Sequence, residues 1–383
     1  KPPLKHSLGV VTICKNSCKP TKASEGITGI LSVNQDAVKH FDEIHELFTA
    51  SELKKLDYEG RCMITQHTVD VSGKEYQLIV INVYCPRHDD EDPVRFKFKL
   101  DFLTCLKERT KVLIEKGYKV VIAGDLNIAH QEIDHCEGSS LQNFSQQKDR
   151  LWLGTMLSSD KEYGLVDAFR HLHPSKGNSY TCWNTKLNSR TLNHGTRIDY
   201  ILLSCDMAET LSSCEILSTI EGSDHCPVRA NLSLQIKPSA NCPSVCAKYY
   251  PEFQGKQKKL SAFLVKENPP KRTPDTIIKR NNPKQTKIAN FLIRGAKANG
   301  RACSAEVTPT LQPALSTGRL NESWKHILKG STTVPNCPGH NEPSQLMTVK
   351  KKGPNFKRQF YCCSRGVGPS EDPNSRCKFF KWA

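Results

Sequence analysis

No stretch of the 383 residues is apolar enough over about 20 positions to cross a bilayer, which excludes a membrane-spanning helix. No signal peptide opens the chain. Its first residue is Lys1 rather than Met, so the natural start is expected to lie outside this sequence. A disulfide framework is also lacking. The 17 cysteines are odd in number and mostly scattered singly, which points to a reducing compartment. Acidic residues are scarce from Lys237 onward, where 8 Asp and Glu face 27 Lys and Arg, a net of +19. Residues 1–236 carry 31 acidic against 28 basic residues, a net of −3. The basic excess therefore lies entirely in the C-terminal part. It suits a polyanion, nucleic acid first and a membrane surface second, or it is a solvated basic tail.

What is present centres on KVVIAGDLN, 119–127. The β-branched run reads as a buried strand that stops at Gly124, with Asp125 and Asn127 just beyond. Alone, Asp-x-Asn after Gly reads more readily as a turn. Three other stretches shift the balance. Tyr84 ends the apolar strand LIVINVYCP, Asp199 sits in RIDYILLS, and Asp224 and His225 open HCPVRANLSLQI, read as one strand. Several polar groups at strand ends suggest a shared cleft, because burying unpaired charge is costly. His beside Asp, with further Asp residues, suits acid/base and metal chemistry on a phosphodiester.

Earlier, LGVVTIC (8–14) reads as a strand, and residues 61–71 and 75–84 as a hairpin turning at Ser72-Gly73. Residues 92–117 read as a helix with Phe98, Phe102, Leu106, Val112 and Leu113 on its apolar spacing, ended by Gly117. A second helix is predicted over 146–158 and a short strand over 180–183. Alternating strands and helices indicate a layered α/β domain.

GDLN, RIDYILLS and GSDHCPV resemble the closing motifs of the exonuclease–endonuclease–phosphatase superfamily. GDLNIAHQEIDH and NSRTLNHGTRIDYILLS resemble those of class II AP endonucleases. The resemblance runs from about Leu8 to Gln235 and implies a two-sheet sandwich flanked by helices. It implies that Asp125 deprotonates the attacking water and Asn127 holds the phosphate or that water. By the same resemblance His225 bonds the scissile phosphate, Asp199 orients the imidazole, and Tyr84 bonds the phosphate or assists the leaving group. Asp125, Asn127, Asp224 and His225 are the expected Mg2+ or Mn2+ set. Asn188 and Arg190 are expected near the abasic nucleotide. Cys182 stands where a relative carries an aromatic pocket wall. Arg61 is either a phosphate-facing group or a surface charge. The family's opening W-N-hydrophobic-N-G and Q-E-x-K motifs are not found, so the sandwich is expected to be incomplete at its N-terminus and metal affinity to suffer.

Domain 1–236 is followed by a Lys-, Pro-, Asn- and Ser-rich stretch, 237–330, read as a disordered basic linker. Cys242 and Cys246 are spaced for a metal but have no second pair nearby in sequence, so they read as free thiols. One pattern occurs twice: Gln257, Leu260, Phe263, Leu264, then Gln285, Ile288, Phe291, Leu292. It resembles the box that docks on the sliding clamp, proliferating cell nuclear antigen, with the second copy favoured. Residues 321–329 suit a short capped helix.

Residues 331–383 read as a small zinc-bound β domain. Cys337-x2-His340-x22-Cys363-x13-Cys377 supplies a closed tetrahedral Zn2+ set, with Cys362 as the rival to Cys363. GPNFKRQFYCC and CKFFKWA resemble the GRF-type zinc finger. Lys350, Lys351, Lys352 and Arg358 interleave with aromatics, which suits single-stranded DNA. Phe360 and Phe379 are expected in its core.

The resemblance thus implies a metal-dependent DNA repair nuclease. Its substrates would be DNA with abasic sites or recessed 3′ ends, cut by AP endonuclease, 3′-phosphodiesterase and 3′-5′ exonuclease action. The expected compartment is the nucleus, then cytoplasm or mitochondria. The alternative is a truncated, catalytically impaired adaptor that binds single-stranded DNA and the clamp.

Overall fold

The computed structural model describes residues 9–32, 34–87, 92–157, 164–250 and 334–383. Both clamp-box patterns (Gln257, Leu260, Phe263, Leu264; Gln285, Ile288, Phe291, Leu292) and the 321–329 helix lie outside these residues.

A seven-stranded mixed sheet carries the fold. Its strands are β1 (Lys22–Glu25), β2 (Cys62–Val71), β3 (Lys74–Tyr84), β4 (Lys119–Asp125), β8 (Asp199–Ser204) and β5 (Leu165–Asp167), in that order, with β11 (Gln235–Lys237) also on β2. Ser72 and Gly73 both take positive φ, 52° and 84°, which matches the twist of a two-residue hairpin between β2 and β3. β4 runs parallel to β3 and so needs a crossover. α3 (Pro93–Glu115) provides it, with Pro93 in its first turn and Asp92 accepting from Arg95 N. Helices α1 (Asp42–Leu47), α2 (Ala50–Tyr58) and α4 (Lys148–Met156) complete that face. Thr49 and Glu52 form a capping box at the start of α2.

Phe102, Leu106 and Leu113 of α3 are buried with Ile64, Ile79, Ile81 and Ile122 of the sheet. A second core joins Val69, Leu78, Val121 and Leu203 to Phe169 of α5 (Ala168–Leu172) and to Leu211 and Cys214. The second layer is thin: β9 (Leu211–Ile216) paired with β10 (Val228–Leu232). A further two-stranded sheet joins β6 (Cys182–Trp183) to β7 (Gly195–Thr196).

Two readings change. The 225–236 run is two strands in different sheets, because Ser233 N turns to Thr210 O between them. Residues 9–15 are extended but join no ladder; Val11 is 72% and Ile13 88% exposed, and Asn82 Nδ2 donates to Val11 O. Residues 238–250 stay on the body, where Ser239 N donates to Lys19 O.

In the C-terminal segment β12 (Asn336–Cys337) pairs with β13 (Glu342–Pro343). β14 (Gln345–Thr348), β15 (Gln359–Cys362) and β16 (Phe380–Trp382) form a three-stranded sheet. Neither Phe360 nor Phe379 is buried; the buried residues there are Cys337, Cys362, Cys363, Ser344, Ser375 and Gly366. So small a sheet has no apolar interior, and the thiol cluster takes that place.

Candidate active site and zinc cluster

Three strand ends converge. In register, Tyr84 of β3 opposes Asp125 of β4, which opposes Asp199 of β8. Gly124 holds φ +136°, and a Cβ there would lie 2.0 Å from Val83 O, so only glycine lets β4 reach this point. Asn127 turns the chain back at φ +52°. Its N–H donates to Asp125 Oδ1 at 2.7 Å, and its amide donates to Asp125 Oδ2 and Cys85 O. The turn reading is right, and the same turn sets Asp125 and Asn127 beside the ends of β3 and β8. Lys99, almost fully buried, donates to Asn127 O at 2.8 Å and pairs with Asp149.

His225 arrives from the opposite side. Residues 181–183 run against 224–226: Cys226 N donates to Thr181 O and Trp183 N to Asp224 O. Thr181 Oγ1 accepts from the N–H groups of Ile198 and Asp199, which fixes the start of β8. His225 Nδ1 then lies 2.8 Å from Asp199 Oδ2. That bond, and next the Cys182 thiol, raise the imidazole pKa to about 11. Burial, and then the Asp199 charge, push the Asp125 carboxyl up to about 6. A retained imidazolium thus faces a carboxyl poised to take a proton near neutrality.

The expected metal residues do not gather as one group. Among the described residues, Asp224 and His225 cluster with Cys182, all ligand atoms within 4.8 Å, while Asp125 stands outside that cluster. Arg190 is committed elsewhere. Its guanidinium donates to the carbonyls of Ser218, Ile220 and Ser223 and lies 4.6 Å over Trp183, so it braces the 218–223 loop. Asn188 is exposed, takes φ +49°, and lines a cleft with Thr185, Thr191, Glu221 and Asp224. Arg61 is neither of its expected kinds. It is 2% exposed and spends its donors on Glu59 and Tyr84 O.

Reading by motif missed Lys99, Thr181 and the ion cluster behind the site. Arg197 bonds Asp134 and pairs with Asp167, and Arg170 also pairs with Asp134. Asp134 and Arg197 both lie inside quoted motifs, yet their type alone suggested surface charge.

In the C-terminal segment Cys337, His340, Cys363 and Cys377 bring all four ligand atoms within 4.8 Å. His340 Nδ1 lies 3.5 Å from Cys337 Sγ and 3.4 Å from Cys363 Sγ. Against the effect of burial, bonds from Glu342 N–H and His340 bring the Cys337 thiol down to about 7. Three thiolates and an imidazole at this spacing fit a structural zinc. Cys362 is outside the cluster and points its thiol to Gln345 O. Phe360 and Phe380 stack at 5.0 Å, Trp382 meets both edge-on, and Arg358 lies 3.9 Å over Trp382. Lys350, Lys351 and Lys352 are exposed. The segment touches the cleft wall, because Val367 N donates to Leu187 O at 2.9 Å.

Residues 61–225 match the Endonuclease/Exonuclease/phosphatase family and residues 335–383 the GRF zinc finger. The chain is 37% identical to the DNA-(apurinic or apyrimidinic site) endonuclease 2 of Xenopus laevis over 98% of this chain and 86% of that protein. The Homo sapiens protein of the same name is 33% identical over 98% and 84%. The chain belongs to the DNA-(apurinic or apyrimidinic site) endonuclease 2 family. Its fold is similar to the Xenopus laevis APE2 catalytic domain, with a TM-score of 0.59 and 39% identity over 64% of this chain and 77% of that one. The family is one of metal-dependent phosphodiester hydrolases, and its C-terminal module here is the zinc finger.

Proposed function

We propose that the chain hydrolyses DNA phosphodiesters at abasic sites and at 3′ ends, as an AP endonuclease and 3′-5′ exonuclease that also clears blocked 3′ termini. The observation that carries this is the raised Asp125 carboxyl facing the Asp199–His225 pair across adjacent strand ends. Asp125, once ionised, removes a proton from the attacking water. Asn127, held by Cys85 O and Asp125, presents that water or the phosphate. His225 stays cationic against Asp199 and stabilises charge growing on the phosphate. Tyr84, at the adjacent strand end, donates to the phosphate or to the departing oxygen.

Mg2+ or Mn2+ fits this site by charge. Burial and the Asp199 charge raise the cost of ionising Asp125, and a hard divalent cation beside that carboxylate relieves it. Asp125 is the oxygen donor that would hold it; bound, it would supply charge neutralisation at the phosphate.

The finger's stacked aromatics with Arg358 and the Lys350–Lys352 run form the kind of face on which single-stranded bases stack. The second clamp-box pattern would recruit the sliding clamp, and the nucleus is where such partners meet. The test is a nuclease assay on an abasic duplex and on a recessed 3′ mismatched end, with Mg2+ or Mn2+. Wild type should cut both and Asp199→Ala neither. A wild type without cleavage that still binds single strands through Phe380 and Trp382 would favour the adaptor.

A further inference from the structure

We propose that Cys14, Cys18, Cys242 and Cys246 form a second zinc site, which clasps the chain entering the central sheet to the chain leaving it. The topology makes the meeting. β1 and β11 both pair with the same edge of β2, β1 on residues 63–66 and β11 on residues 68–70. His67 lies between. Chain running backward from Lys22 and chain running forward from Lys237 therefore reach the same place, although 215 positions separate them.

Hydrogen bonds hold the two segments together there. Ser239 N donates to Lys19 O at 3.1 Å and Lys19 Nζ to Ala240 O at 3.0 Å. Ser244 Oγ donates to Asp36 Oδ1 at 2.7 Å, which fixes the turn between the second cysteine pair. Each pair has C-x3-C spacing over a tight turn. Cys18 N donates to Lys15 O and Cys246 N to Pro243 O, both at 2.9 Å. Two turns that each present two sulfurs are a common way to supply four thiolates to zinc.

All four cysteines are half-buried and none is in a disulfide. Cys14 lies near enough to Cys18, Cys242 and Cys246 for each to act on it electrostatically, and one divalent soft cation would neutralise four thiolates so placed. Unlike the finger ligands, no three of these sulfurs lie within 4.8 Å of one another, so metal would have to draw the two turns closer. One rival fourth ligand is present. His67 is 5% exposed, lies beside Cys18, and its Nδ1 makes no hydrogen bond.

The test is zinc content of the full chain, purified reduced from zinc-supplemented cells. Wild type should hold two zinc ions per chain. Cys242→Ser with Cys246→Ser should hold one, and so should Cys337→Ser with Cys363→Ser. Zinc X-ray absorption of wild type should average about 3.5 sulfurs per metal, between a four-thiolate site and a three-thiolate finger. One zinc in wild type overturns the site, whatever the variants do. So does a non-reduced mass showing these cysteines paired as disulfides. Two zinc ions retained in Cys18→Ser but one in His67→Gln would overturn the four-thiolate set. None of these readings depends on nuclease activity.

Discussion

His225 Nδ1 and Asp199 Oδ2 are 2.8 Å apart, although 26 positions separate them. The pairing holds the imidazole cationic up to about pH 11. A raised imidazole pKa adds stability that is complete below 6.5 and lost as pH rises through about 11. Asp199→Asn removes the first cause of that shift. The alkaline limb of kcat/KM should then move toward neutrality, and kcat should fall about 10²–10⁴-fold. A pH–rate profile checks this; an unmoved alkaline limb would sink the assignment.

Asp125 is shifted in the same direction, but for a carboxyl that favours the neutral form. Its carboxyl is raised from 3.8 to about 6, so the folded state favours the proton. Stability from this group is complete below about 4 and lost as pH rises through about 6. Activity, which needs the carboxylate, should rise through the same range. Asp125→Asn should abolish cleavage yet raise Tm at pH 8 by roughly 2–4 °C, since it removes on the order of 1 kcal/mol of charge cost. Calorimetry of both forms at pH 5 and pH 8 decides it, because the gain should shrink at the lower pH.

Arg190 was expected to touch DNA, but it ties three carbonyls of the 218–223 loop. Arg190→Ala should loosen the loop that delivers Asp224 and His225, lowering kcat along with affinity. Arg190→Lys, a point donor, should recover little because it lacks the planar fork. A pure affinity loss with unchanged kcat would instead favour direct DNA contact.

Asp134 is fully buried between Arg197 and Arg170, and burial, which alone would raise its carboxyl, is outweighed by these two partners. Asp134→Ala leaves two guanidinium groups short of a partner. The cost should be about 3–5 kcal/mol of stability, read by urea unfolding. A change below about 1 kcal/mol would mean that Asp167 takes over the pairing.

The β2–β3 hairpin, α3 and β4 were legible because periodicity and punctuation are local, although β4 runs on through Gly124 to Asp125. Tyr84 and Asp125 stood out at the end of an apolar run, and Asp199 at the start of one. Arg61 was read as phosphate-facing or surface charge and Arg190, by resemblance, as near the abasic nucleotide; that backbone carbonyls take donors from both was not legible, because those acceptors lie far along the chain. The split at Ser233 was invisible because its cause, Thr210 O, lies 23 positions away, just before β9. Cys14 and Cys242 looked unrelated because only pairing of β1 and β11 on β2 joins them.

The finger leans on the same wall that Asn188 lines. Gly366 is so close that a Cβ would lie 2.4 Å from Asn188 O and 2.8 Å from Thr191 Oγ1. Neither neighbour retreats easily, since one is backbone and the other is bonded to Asn188 O. Gly366→Val should therefore push the finger off residues 187–192 without touching its zinc ligands. Zinc content and single-strand affinity of the finger should stay unchanged, because its aromatic face is elsewhere. Cleavage that depends on Asn188 geometry should weaken, with KM for the abasic duplex rising several-fold. If Gly366→Val cuts and binds as wild type does, the contact between finger and cleft wall has no part in catalysis.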